Sequence, residues 1–433
     1  MDYIFNKKLE TLKRSDIQEI QLKRLKKTVK NVYDKVPFYK KKFKELNIKP
    51  NDIKTLKDIR KLPFTTKNDL RDNAPFGFLT KSLDEYFELH ASSGTTGTPI
   101  TVCYTKNDIG VWSEVMARCL TMSGLTKKDI FQNPIPYGTF TGAFGFHYGA
   151  QKVGALVIPS GMGQSERQLK LMKYYGTTFI SGVASYAVRL AQVAEELGFD
   201  LKELDVKNGL FGAEMFTKGL KNRIIDSWGI DVHDIYGLTE MCGPGVSTDC
   251  DQHNGLHLWE DHFYLECLDP KTLEPVDLEE EGEIVLTTLT KEGMPIIRYR
   301  TRDLAKIYDQ KICECGRTHI KHSNIKGRSD DMLIIRGTNI YPGQIESVLM
   351  KYSEIGSNWR MIIDTEKQVD QLTVEVESKS TLNQIESMDL EDKLRNDIKS
   401  IIVFNPKISI LQPNSIIQDS LKAKRVIDKR KKD

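Results

Sequence analysis

The stretch SSGTTGTP, residues 92–99, lies between two strand-like runs, FELHA (87–91) and ITVCYT (100–105). It holds two Ser, three Thr, two Gly and one Pro, with no charge and no large side chain. Small residues let a backbone approach an anion closely, and glycine permits turns that aim successive N–H groups inward. Hydroxyls add donors that rotate to suit. Ser92, Ser93, Gly94, Thr95, Thr96 and Gly97 therefore read as a phosphate cradle or, taken alone, as a plain hairpin turn. They are not a Walker loop, because G-x-x-x-x-G-K-[ST] is absent.

A second stretch bears on that choice. In DIYGLTEMCGPG, 234–245, an apolar strand ends in a Tyr-Gly turn and then presents Thr239 and Glu240. A carboxylate beside a phosphate site is what Mg²⁺ needs, since the ion takes few carboxylates plus phosphate oxygens. Glu240 read by itself is a solvated residue; paired with the loop it reads as a metal carboxylate.

Around these stretches the chain has the make-up of a globular protein. Its 433 residues exceed one core of ordinary size, so two or three domains are expected. A net charge of +3 argues against wholesale nucleic-acid binding. The longest apolar runs are too short to span a bilayer, and the N-terminus lacks an apolar signal stretch, so the expectation is a cytoplasmic protein without membrane contact. Seven cysteines, an odd number, do not suggest a disulfide framework.

Residues 1 to about 90 read mainly as helices, with Ile20, Leu25, Val29 and Val32 on one stripe of an amphipathic helix. From 110 to 235 helical segments alternate with short apolar strands, which predicts parallel sheets covered by helices. Between about 240 and 325 strands follow one another without helices. After GRSDD (327–331) comes an α+β pattern of about a hundred residues. The fold class is therefore α/β: a large N-terminal part of sheets covered by helices with a β-rich portion, then a small α+β C-terminal part.

Taken together and in order, SSGTTGTP, YGLTE (236–240), RYRTRD (298–303), GRSDDMLIIRG (327–337) and NIYPGQIE (339–346) resemble the adenylate-forming superfamily. More narrowly they resemble the phenylacetate–coenzyme A ligase family, as do LPFTTKNDLRDNAPFG (62–77) and GLHLWEDHFY (255–264), and the likeness runs from about residue 3 to 430. The resemblance implies an adenylation domain over 1–329 and a mobile C-terminal domain over 330–433, with a hinge at Asp330. It implies activation of an aryl acid by ATP to an acyl-AMP, then transfer to coenzyme A. Transfer to a carrier-protein thiol, or nucleotide binding without turnover, are the alternatives.

Carried over residue by residue, the loop 92–97 would hold the β- and γ-phosphates. Thr239 would contact the α-phosphate, Glu240 would help hold Mg²⁺, and Asp303 would bind the ribose diol of ATP or AMP. Arg328 would contact the nucleotide, and Gly212, Ala213 and Glu214, with Asp234, Ile235, Tyr236 and Gly237, would line its site. Lys422 would be the catalytic lysine; Leu421 stands before it where the family has Gly, and Lys424 is the rival. Tyr137, Phe144 and His147 read as an acyl pocket suited to a flat ring, or as ordinary core. Cys250, His257, Cys313 and Cys315 make a Cys3His set fit for structural zinc, or are reduced thiols and a histidine in ordinary roles, with His253 and His319 in reserve. The family resemblance also implies a homodimer.

Overall fold

The computed structural model describes residues 3–92, 99–309, 311–336, 338–366, 369–416 and 425–430. The chain divides into two compact units. The larger comprises Met1–Val183, Glu203–Ala213 and Ile230–Asn324, and the smaller Ala184–Lys202, Glu214–Gly229 and Ile325–Asp433.

In the larger unit a mixed sheet of eight strands, counted among the described residues, runs in the order Lys321–His322, Leu256–Leu258, Gly243–Asp249, Asp231–Leu238, Asn208–Gly212, Phe179–Val183, Ile130–Gln132, Leu156–Ile158. The last five are parallel to one another, as the alternating helix–strand pattern predicts. The first three are antiparallel additions made where the helices cease. A second, antiparallel run joins Phe263–Leu268, Glu281–Thr288 and Tyr299–Lys306. Strand Tyr86–Ala91 pairs antiparallel with Thr101–Thr105.

Helix Arg14–Lys35 forms over the expected amphipathic stretch, but its buried face is Ile17, Gln21, Leu25, Thr28, Val29 and Val32. Ile20 stays half-buried, because the inward stripe steps four residues at a time from Ile17. Helix Gly142–Val153 arises from a glycine-rich run whose reading from sequence stopped at its aromatics. Its glycines are contact surfaces: a Cβ on Gly149 would lie 2.5 Å from Cβ of Met116, on helix Lys106–Met122. The two helices thus pack backbone to backbone, and both touch strand Gly243–Asp249.

In the smaller unit a four-stranded sheet runs Lys407–Leu411, Val369–Ser378, Ile355–Glu366, Val426–Asp428. The two outer strands are parallel to their neighbours and too short and mixed to announce themselves in sequence. Helix Gln384–Ile402 buries Leu390, Leu394, Ile398 and Ile402 and packs on the edge strand Lys407–Leu411. Helices Ala184–Glu196 and Lys218–Trp228 pack on each other, tied by Trp228 Nε1–H donating to Ala187 O at 3.0 Å. Among the described residues no helix is long and apolar enough to cross a membrane.

Candidate active site and metal centre

Strand Asp231–Leu238, DVHDIYGL, is buried from Val232 to Ile235 and runs into the corner Gly237–Glu240. Gly237 is required there, since a Cβ would fall 2.2 Å from the carbonyl oxygen of Gly243 on the adjacent strand. Thr239 and Glu240 follow, both largely buried. Strand Tyr299–Lys306 comes alongside, and the two motifs exchange tyrosine hydroxyls. Tyr236 Oη–H donates to Asp303 Oδ2 at 2.7 Å, across 67 residues of sequence. Tyr299 Oη–H donates to Glu240 Oε1 at 2.9 Å, across 59. YGLTE and RYRTRD thus each orient the other's carboxylate, and a carboxylate retains further acceptor positions after one such bond.

Two supports of this corner had no sequence signal strong enough to single them out. Lys291 is buried; its Nζ–H donates to Met241 O at 2.8 Å and to Glu240 O at 3.2 Å, and it lies 4.8 Å from the centre of the Tyr104 ring. Burial pushes its ammonium down to about 8. Tyr104 stacks on Trp112 at 5.0 Å, and Trp112 Nε1–H donates to Pro244 O at 3.0 Å. The corner's backbone is therefore held from beneath by a charge and two rings. Lys291 lies between Thr290 and Glu292 in a loop, where a lysine reads as a solvated residue.

The neighbouring strands place the remaining candidates. Asp234 is buried, accepts Asn324 Nδ2–H at 2.6 Å through Oδ2, and its N–H donates to Asp249 Oδ1 at 2.8 Å. Ile235 is buried and pairs with Gly212 at the end of the adjoining parallel strand. Ala213 leaves that strand in the left-handed region, at φ 69°, a conformation that costs a non-glycine residue about 1 kcal/mol. In the smaller unit, Glu214 accepts Ser185 N–H at 2.5 Å and Ser185 Oγ–H at 3.1 Å, so its carboxylate sits at the start of helix Ala184–Glu196. Arg328, in the same unit, makes a paired contact with Asp330 at 2.9 and 3.0 Å on the surface. Ser92 Oγ accepts Ile100 N–H at 3.0 Å. Ser93, Gly94, Thr95, Thr96 and Gly97 lie outside the described residues, as do Leu421, Lys422 and Lys424.

The aromatic candidates come together. Asn133 Nδ2–H donates to Tyr137 Oη at 2.9 Å, and Tyr137 Oη–H in turn meets His147 Nδ1 at 3.0 Å. Burial lowers His147 from its ordinary value, so it stays neutral and accepts at Nδ1. Phe144 stands edge-on to Tyr137 at 5.4 Å and to His90 at 5.2 Å. Glu88 and Tyr148, which sequence reasoning passed over, complete the group: Glu88 contacts the Tyr148 hydroxyl and lies 3.0 Å from His90 Nε2. The only hint of Glu88 was its place on a strand leading into the loop.

Cys250, His257, Cys313 and Cys315 converge, with one donor atom from each within 4.8 Å of the others. Cys250 Sγ and Cys313 Sγ are 3.8 Å apart, and Cys315 Sγ lies 3.5 Å from His257 Nε2. Tetrahedral zinc with Zn–S bonds of ~2.3 Å and Zn–N of ~2.0–2.1 Å would space two sulfurs about 3.8 Å apart, and a sulfur and a nitrogen about 3.5 Å. The observed spacings match both, and a disulfide, at about 2.05 Å, is ruled out for the Cys250–Cys313 pair. His257 Nδ1–H donates to His319 O at 3.2 Å, leaving Nε2 as the ligating nitrogen. Of the reserves, His319 Nδ1 instead accepts Glu260 N–H at 2.9 Å, while His253 joins a different cluster.

Residues 9–289 match the AMP-binding enzyme family, and residues 337–430 match the AMP-binding enzyme C-terminal domain. The phenylacetate–coenzyme A ligase of Aromatoleum evansii is 40% identical over 98% of this chain and 97% of its own length. That of Escherichia coli (strain K12) is likewise 40% identical, over 98% and 97%. The chain belongs to the phenylacetate–coenzyme A ligase family. A crystal structure of 2-hydroxyisobutyryl-CoA ligase in the postadenylation state, in complex with 2-HIB-AMP, is 28% identical to this family member, with a TM-score of 0.91 over 98% of this chain and 92% of that one. The adenylate-forming fold expected of the ligase family is thereby established for this chain.

Proposed function

We propose that this enzyme activates phenylacetate or a similar aryl acid with ATP, giving an acyl-AMP and pyrophosphate, and passes the acyl group to the thiol of coenzyme A. The observation that carries this reading for the residues themselves is the double tyrosine exchange between Tyr236–Glu240 and Tyr299–Asp303, which sets two carboxylates in place before any ligand arrives. Asp303 would accept both ribose hydroxyl hydrogens, and Thr239 would donate to the α-phosphate. Adenylation brings a carboxylate against a phosphate, so the charge that builds there needs donors fixed in advance. Glu240 would hold Mg²⁺, whose charge offsets that of the phosphates when bound. Residues 92–97 would cradle the β- and γ-phosphates. Lys422, on the segment 330–433, would bridge the attacking carboxylate and the α-phosphate.

Tyr137, Phe144 and His147 would line the aryl pocket. The acid is ionised at neutral pH and needs no base, which suits a neutral, hydrogen-bonded His147. The Cys3His cluster would hold zinc as a closed structural site, tying strand Leu256–Leu258 to the segment around Cys313; with four protein ligands it offers no open position for chemistry.

ATP–pyrophosphate exchange across a panel of acids tests the first step. Exchange that depends on an aryl acid supports it, and a chain that binds ATP yet never exchanges would be a module without turnover. Release of AMP on adding coenzyme A separates a thiol ligase from an enzyme that needs a carrier protein. Lys422→Ala is expected to cost about a hundredfold in exchange; wild-type rates in that variant would move the role to Lys424.

A further inference from the structure

At the other end of strand Asp231–Leu238 from the Glu240 corner, two imidazoles and two carboxylates meet in a ring. His233 Nε2 lies 3.1 Å from Asp231 Oδ2, and His253 Nε2 lies 3.0 Å from Asp231 Oδ1. On the other side of both rings, His253 Nδ1 lies 2.8 Å from Asp249 Oδ2, and His233 Nδ1 lies 3.2 Å from Asp249 Oδ1. The second of these is a close approach off the line of a hydrogen bond, which leaves His233 Nδ1 buried and without a hydrogen-bond partner. The imidazole centres are 4.9 Å apart. His253 reaches the group because its backbone is left-handed, at φ 46°, and its N–H donates to Cys250 O at 3.0 Å.

Carboxylates only accept, and a neutral imidazole carries a single N–H. A neutral imidazole whose N–H lies at Nδ1 presents its Nε2 lone pair to a divalent cation. Placed between both Nε2 atoms and the Asp231 carboxylate, it would find three donors already within 4.8 Å of one another. Bonds of ~2.0–2.1 Å in a tetrahedral site space donor atoms about 3.3 Å apart. His253 Nε2 and His233 Nε2 stand near that spacing from Oδ1 and Oδ2 of Asp231, at 3.0 and 3.1 Å, and Asp231 and His253 are exposed. Asp249 would then be the outer carboxylate that takes His253 Nδ1–H and fixes its tautomer.

We propose that Asp231, His233 and His253 form a second metal site, distinct from the Cys3His cluster and open to solvent, for an imidazole-seeking divalent ion such as Zn²⁺, Co²⁺ or Ni²⁺. Three protein ligands and an exposed side make it an exchangeable site, emptied by chelators that leave a buried thiolate centre filled.

The test uses the full-length protein, dialysed against a mild chelator and then titrated with Co²⁺ while heat and absorbance are followed. One equivalent is expected to bind with weak ligand-field bands and no thiolate-to-metal charge-transfer band. In His253→Ala and in Asp231→Asn, both changes at exposed positions, that binding should weaken at least tenfold, with the melting temperature of the dialysed protein unchanged. Absence of binding, equal affinity in the wild type and both variants, or a charge-transfer band from thiolate overturns the proposal.

Discussion

The Glu240 corner and the Cys3His cluster are both buried polar groupings in the larger unit, yet they are finished in different ways. At the corner every charge has a protein partner: Tyr299 for Glu240, Tyr236 for Asp303, and two backbone carbonyls for Lys291. In the cluster three sulfurs and an imidazole nitrogen chiefly face one another. The first can therefore be rigid before substrate binds, as catalysis by fixed dipoles requires. On the proposed zinc reading the second would hold its shape around a cation, and its stability would be tied to that metal.

The sharpest way to break that contrast is Glu240→Gln. The change keeps the shape and an acceptor for Tyr299 but removes the charge, and acid-dependent ATP–pyrophosphate exchange should fall about a hundredfold or more with little change in melting temperature. Metal removal should do the reverse. A strong chelator, or Cys313→Ser with Cys315→Ser, is expected to lower the melting temperature on the order of 10 °C and to abolish one equivalent of zinc by elemental analysis. No zinc in protein purified without chelator would erase the distinction.

Lys291→Met probes whether the corner's rigidity is supplied from below. It removes both carbonyl contacts while keeping bulk, and exchange should drop about tenfold, with the loss appearing in the KM for MgATP as well as in kcat. An unchanged KM would mean the corner stands without it.

A third buried carboxylate supplies the mildest comparison. In the smaller unit burial pushes Glu346 up to about 7, against an opposing pull from Arg425, and Trp359 Nε1–H donates to it at 3.1 Å. Because its folded value lies above the unfolded one, the native state binds more protons between about pH 4.5 and 7, and stability falls as pH rises through that window. Glu346→Gln should flatten this slope in denaturant melts by about 1–3 kcal/mol. A slope identical to wild type would place the loss elsewhere.

Much of this was legible in sequence because chemistry and backbone need coincide there. The YGLTE corner needs glycine for close approach and carries a carboxylate of the kind Mg²⁺ seeks, so it stands out twice. The alternation of helices and strands up to residue 235 followed from apolar period alone, and the Cys and His spacing pointed to one centre although its members lie up to 65 residues apart (315 − 250). What stayed hidden was three-dimensional. Nothing local says that Tyr299 will reach Glu240, that Lys291 will lie under the corner, or that His253 will turn back on Asp231. The short parallel strands Lys407–Leu411 and Val426–Asp428 gain their order from neighbours rather than from propensity.

The most direct test of the account is phenylacetate-dependent ATP–pyrophosphate exchange, measured side by side in the wild type and in Glu240→Gln. Robust exchange is expected in the first, near loss in the second, and release of AMP from the first once coenzyme A is added. Exchange of equal rate in both proteins would contradict the account.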